Sequence, residues 1–144
     1  MITCISVGGI LIQDGRVLLC HPSGNPSGKW SLPKGQAKPD ESYLEVAYRE
    51  VLEETGYSCF VRERVPVDIE PYKAYYVDEE TQIKSPAMKT LVFFIMDPIE
   101  KIQEPDWECD YFLWIKEKDL PIFSNERELP VILKALEMTK HVKG

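Results

Sequence analysis

Three glutamates, Glu50, Glu53 and Glu54, stand close together in the chain, immediately after Arg49. On a helix, residues three and four apart are neighbours, so the three carboxylates project from one sector. Like charges at that spacing repel, and the cluster costs stability unless something neutralises it. A hard divalent cation, Mg²⁺ or Mn²⁺, would do so, since such ions prefer carboxylate, carbonyl and water oxygens. The same ion can hold phosphate oxygens and activate water. Taken alone, Arg49 to Glu54 reads as an ordinary solvated helix face.

The wider spacing decides between the two. Gly35 is followed after five residues by Glu41, then after seven by Arg49-Glu50, Val51, one residue, Glu53-Glu54, one residue, Gly56 and Tyr57. This is G-x5-E-x7-R-E-U-x-E-E-x-G-U, where U is a bulky aliphatic, with Tyr57 as the departure. A chance match in a chain of this length is on the order of one in ten million at average residue frequencies. On these residues the chain resembles the Nudix hydrolase (MutT-like) superfamily. The hairpin before the motif and the strands and helix after it resemble the family layout over the whole chain.

The resemblance implies an α+β fold, an α/β/α sandwich around a mixed sheet. It implies hydrolysis of a nucleoside diphosphate linked to a further moiety, with Mg²⁺ or Mn²⁺. Glu50 and Glu54 match the main metal ligands, Glu53 a further ligand or the holder of a water, and the Gly35 carbonyl an additional ligand. Arg49 matches the arginine that orients the glutamates, and Glu41 a structural position at the loop–helix junction. The general base is Glu53 or Glu50, or comes from a later loop, where Glu108 and Glu104 are the candidates. Tyr57 should pack into the core. Asp40 stands where many relatives have Gly, and Asp tolerates left-handed backbone better than most residues.

Trp30-Ser-Leu-Pro-Lys-Gly35 is similar to the W-x-x-P-K-G entry of the diadenosine polyphosphate hydrolases and the diphosphoinositol polyphosphate phosphohydrolases. It implies Lys34 beside the metal site as a phosphate contact, with Trp30 read as core. The former subgroup also carries an adenine-stacking tyrosine beyond the motif, which points to Tyr72 or Tyr75. Lys89, at the start of a strand, is placed to reach the phosphates. The favoured substrate is a dinucleoside polyphosphate. The alternatives are nucleoside triphosphates, an RNA 5′ end or a diphosphoinositol polyphosphate. A non-catalytic nucleotide sensor would be expected to have lost carboxylates, and all three are present. The resemblance allows a homodimer.

Elements must position these groups. Residues 2–12 and 16–20 read as strands around Asp14-Gly15, a hairpin signal. Residues 22–29 are loop. Ser42 and Glu45 form an S-x-x-E capping box, and Leu44, Ala47 and Val51 repeat at helical spacing, so a helix is predicted over 43–55, ended by Gly56. Strands are predicted at 57–65, 72–77, 89–96 and 111–115, with 89–96 central, and an amphipathic helix at 126–140.

At 144 residues the chain reads as one domain, 1–144, with enough core to fold without staples. Its net charge of -7 argues against coating duplex nucleic acid or an anionic membrane. The small-molecule nucleotide is then the partner expected. Cys4, Cys20, Cys59 and Cys109 show no metal spacing and read as small buried hydrophobes. No stretch has the length of a transmembrane helix or the pattern of a signal peptide, which makes the cytoplasm the default.

Overall fold

The computed structural model describes residues 2–22, 28–65, 69–106 and 109–140. Apolar residues alternate along the two longest strands, and that alternation builds the fold. In β1 (Ile2–Gln13), Val7 and Leu11 point to one face of the sheet and Ile10 and Ile12 to the other. β6 (Lys84–Lys101) does the same, with Val92 and Met96 opposite Leu91, Phe93 and Ile95. Each strand is therefore buried on both faces and requires a layer on each.

Helix α1 (Tyr43–Thr55) covers the first face through Val46, Ala47 and Val51. Helix α3 (Leu129–Lys140) covers the second through Val131, Ile132, Ala135 and Leu136. The remaining strands are β2 (Arg16–Pro22), β3 (Lys34–Gln36), β4 (Tyr57–Arg64), β5 (Ile69–Val77) and β7 (Cys109–Lys116). The sheet runs β4-β6-β1-β2-β7, with β3 on β1 and β5 on β6. β1 and β6 are parallel and the other pairings antiparallel, so the sheet is mixed and the class α+β.

The predicted hairpin forms, with Asp14 at φ 53° and Gly15 at φ 73°. Helix α1 has the expected limits, a complete capping box at Ser42 and Glu45, and Gly56 in the left-handed region at φ 81°. Asp40 does not adopt a positive φ, which among the described non-glycine residues occurs only at Asp14 and Gln82. β6 is central but longer than predicted at both ends. Its prolines set the reason. β1 pairs from Ala87 to Met96, so Pro86 and Pro98 lie just outside that ladder and each has a neighbour on one side only. α3 starts later than expected, at Leu129, because Pro130 lacks an N–H and suits only a first turn. A 3-10 turn (Glu117–Asp119) and the short helix α2 (Leu120–Phe123), like β3, had no periodic signal.

Trp30 and Tyr57 pack as expected. Trp30 sits in the α3-side core against Phe123, and Tyr57 meets Trp114 edge to face on the α1 side. Cys20 and Cys59 are buried, while Cys4 is only half-buried, and the Cys109 side chain lies outside what is described. Burial pushes the Cys59 thiol up to about 12. No helix among the described residues is long and apolar enough to cross a membrane.

Ile132 is fully enclosed between α3 and the sheet. Ile132→Ala should cost about 2–5 kcal/mol by transfer and cavity terms together, measured by urea unfolding.

Candidate active site

The site is built where β3 passes the middle of α1. β3 hydrogen-bonds to β1 in the register Ser6 to Gln36, Val7 to Gly35 and Gly8 to Lys34. Its outward N–H, that of Lys34, donates to Glu54 Oε2 at 2.9 Å. Gly35 lies so close to Glu50 that a β-carbon there would overlap the carboxylate, so glycine is the residue this approach admits. Glu50 and Glu54, each 8% exposed, are thus held against the strand.

Arg49 ties the helix to the preceding loop. Its Nε and Nη2 donate to Glu41 Oε2 and Oε1 at 2.6 and 2.7 Å, a bidentate pair. Its Nη1 donates to Glu50 Oε1 at 2.6 Å and stands 3.6 Å from Glu53 Oε2. The Glu41 hydrogen bond, followed by the charge and hydrogen bond of Glu50, holds Arg49 above its usual range against the cost of burial. The arginine in turn pulls the Glu41 carboxyl down to about 2. The Glu53 side chain, 46% exposed, is the most open of the three.

The side-chain donors facing this point are the carboxylates of Glu50, Glu53 and Glu54, the hard oxygen type a divalent cation takes. The register of β3 on β1, with the Gly9 N–H on the Pro33 carbonyl and the Ala37 N–H on the Ile5 carbonyl, turns the Gly35 carbonyl toward Val7 of β1 and away from the acids, against the expectation for it. Among the described residues no three acidic, histidine or cysteine side chains already converge on one point. Glu50 is drawn toward Arg49 and Glu53 turns outward.

The loop expected to offer a base docks on the end of α1. The N–H groups of Ile102 and Gln103 donate to the Gly56 carbonyl, and that of Asp106 to the Glu53 carbonyl at 2.8 Å. Glu104 is exposed and pairs with Lys101 at 3.7 Å. Glu108 lies outside the described residues. Asp106, on that docked segment, had not been singled out by its sequence position.

A second group of residues gathers on the α3 face. Cys4, Lys89 and Tyr72 occupy one row across β1, β6 and β5. Lys34 reaches the same region, and its Nζ lies 2.7 Å from Glu128 Oε2. Burial works against the Lys34 charge, but Glu128, with Glu54 adding to it, holds the ammonium above the usual lysine range. Burial pushes Lys89 down, partly opposed by Cys4 and reinforced by Lys34. Burial pushes the Tyr72 phenol up against the pull of Lys34 and Arg127. The Arg127 guanidinium stacks 3.7 Å from the Tyr72 ring centre. Tyr75 is not brought here. It pairs with Pro86, three residues beyond Tyr72, so it faces the other side of the sheet and is 60% exposed. Arg127 and Glu128 carried no sequence signal, being two charges ahead of a helix and more than ninety residues from Lys34.

The NUDIX domain family matches residues 3–136. The chain belongs to the Nudix family. A Caenorhabditis elegans protein with nudix hydrolase 1 in its name is 33% identical over 109 residues, which are 75% of this chain and 26% of that protein. This chain therefore spans about a quarter of that relative's length. The phosphatase NudJ of Escherichia coli is 24% identical over 132 residues, 92% of this chain and 80% of NudJ. A crystal structure of an ADP-ribose pyrophosphatase from Streptococcus suis superposes with a TM-score of 0.68 at 18% identity, covering 97% of this chain and 94% of its own. At that identity the likeness is one of fold.

Two outcomes follow from this geometry. Gly35→Ala should leave the fold intact, displace Glu50 and lower kcat/KM by about a hundredfold, as circular dichroism and steady-state kinetics would show. Glu41→Gln should cost about 1–2 kcal/mol near neutral pH through the lost charge-assisted pair. Because folding depresses the Glu41 pKa from 4.5 to about 2, its contribution is present above the unfolded value and lost as pH falls through that window. Urea midpoints of wild type and variant should therefore converge between about pH 4.5 and pH 2.

Proposed function

We infer that this Nudix domain hydrolyses a phosphoanhydride in a dinucleoside polyphosphate, with diadenosine tetraphosphate as the test compound. The observation that carries this reading is the company Glu54 keeps. Lys34, Lys89 and Arg127 gather around Tyr72 beyond the carboxylates, in a chain whose net charge is -7. A local excess of cations in an acidic protein suits an extended polyanion better than a lone diphosphate. Arg127 already covers one face of Tyr72, so a base stacks on the other face or on Arg127 itself.

In this reading Glu50 and Glu54, with Glu53, would hold Mg²⁺ or Mn²⁺. Bound there, the cation supplies charge neutralisation at the phosphates and a more acidic water. Arg49 donates to Glu50 and fixes the orientation of its carboxylate. The Lys34 amide fixes the rotamer of Glu54. Glu53 is the open carboxylate, and it is the one placed to accept a proton from the attacking water. Lys34 and Lys89 meet the phosphate oxygens as point charges.

The test is incubation with Mn²⁺ and diadenosine tetraphosphate, with products resolved by anion exchange. The wild type should release ATP and AMP. Glu54→Gln should retain its thermal melt and lose turnover by about three orders of magnitude or more. Cleavage of ADP-ribose or nucleoside triphosphates but not of the dinucleotide would overturn the substrate and keep the chemistry.

A further inference from the structure

Glu128 is the most deeply buried charged side chain described, at 2% exposure. Its two oxygens have separate tasks. Oε1 accepts the Leu32 N–H at 2.8 Å, and Oε2 pairs with Lys34 Nζ at 2.7 Å. Glu128 is itself fixed, since its own N–H donates to Asn125 Oδ1 at 2.9 Å. The Asn125 N–H in turn donates to the Trp30 carbonyl at 3.1 Å, so the entry to α3 is stitched to the segment leading into β3.

Replacing a buried ion pair as a whole by apolar side chains of similar volume is often neutral or stabilising, so the pair is weak evidence for a purely structural role. The geometry gives it another use. The Lys34 ammonium has three N–H donors. It directs one to Glu128 and one to the Leu32 carbonyl at 3.2 Å. The side chain remains 22% exposed, which leaves the third donor an outlet toward solvent. The Lys34 backbone N–H meanwhile holds Glu54. One carboxylate from the entry to α3 therefore orients a residue that touches the metal-ligand helix from the opposite layer.

We propose that Glu128 is a positioning residue for Lys34, fixing its ammonium so that the remaining N–H donor meets a phosphate oxygen of the substrate. This rests on Lys34 as a phosphate contact and not on which nucleotide carries the phosphate. Glu128→Gln keeps the size and the acceptor for Leu32, but sets an amide NH₂ against the ammonium and releases it.

The experiment is calorimetric titration with methylenebisphosphonate, a diphosphate mimic with no hydrolysable bridge, in the presence of Mg²⁺. Lys34→Met, Glu128→Gln and the double variant are compared with wild type. Each single variant should weaken binding by about tenfold, and the double should bind like Lys34→Met alone. With whichever nucleotide is turned over, Glu128→Gln should raise KM by about the same factor and leave kcat nearly unchanged, as for lost uniform binding. Wild-type affinity in Glu128→Gln, or a double variant weaker than Lys34→Met by the full second factor, would overturn the proposal. If Glu128→Gln alone does not fold, Glu128→Asp, which keeps the charge but shortens its reach to Lys34, takes its place in the same cycle: weaker binding than wild type that disappears in the Lys34→Met background upholds the proposal, and wild-type affinity refutes it. Because the mimic has no nucleoside, failure to cleave diadenosine tetraphosphate leaves this test standing.

Discussion

Arg49 serves three carboxylates with one guanidinium. Its fork closes on Glu41 with two short bonds, its remaining arm reaches Glu50, and Glu53 lies at the edge of its range. Without it, Glu50, Glu53 and Glu54 would repel along successive turns of the helix that must carry them. The bond to Glu41 also draws the loop after β3 onto α1, which brings Gly35 against Glu50 and the Lys34 amide against Glu54. The cluster of acids is therefore tolerable and shaped by the same contact. A lysine could neutralise part of that charge but could not hold two partners in fixed planes.

The two helices divide the labour. α1 carries the acidic groups on one face of the sheet, and the entry to α3 sends Arg127 and Glu128 to the cations on the other. β3 is the narrow bridge between them. It is three residues long, yet its backbone contacts α1 and its Lys34 side chain contacts the α3 side. The close approach of a strand edge to a helix face is what lets so small an element serve both.

Much of this was legible in the chain. Helix α1 could be placed to the residue because capping box, apolar period and terminal glycine all agree, and such consistency across levels is what makes a segment readable. The resemblance carried by the motif implied a pairing role for Arg49 and a structural one for Glu41, and the two side chains do meet. What could not be read depends on contacts between distant segments. β3 has no periodicity, being held by its neighbours. Glu128 looks like an ordinary surface acid until the fold buries it against residues more than ninety positions away. Tyr72 and Tyr75 were one cluster in sequence, and only the strand register separates them onto opposite faces.

β5 is an edge strand, joined to the sheet through β6 alone. It carries Tyr72, and its Ile69 joins the core that α3 covers, whereas the acids stand on α1, beside β3, which is locked to β1. The Tyr72 end of the cation row and the acid cluster thus stand on different elements, with Lys34 of β3 between them. A change at the exposed positions of β5 would leave α1 and β3 as they are, so the surroundings of Tyr72 can vary at a margin of the sheet.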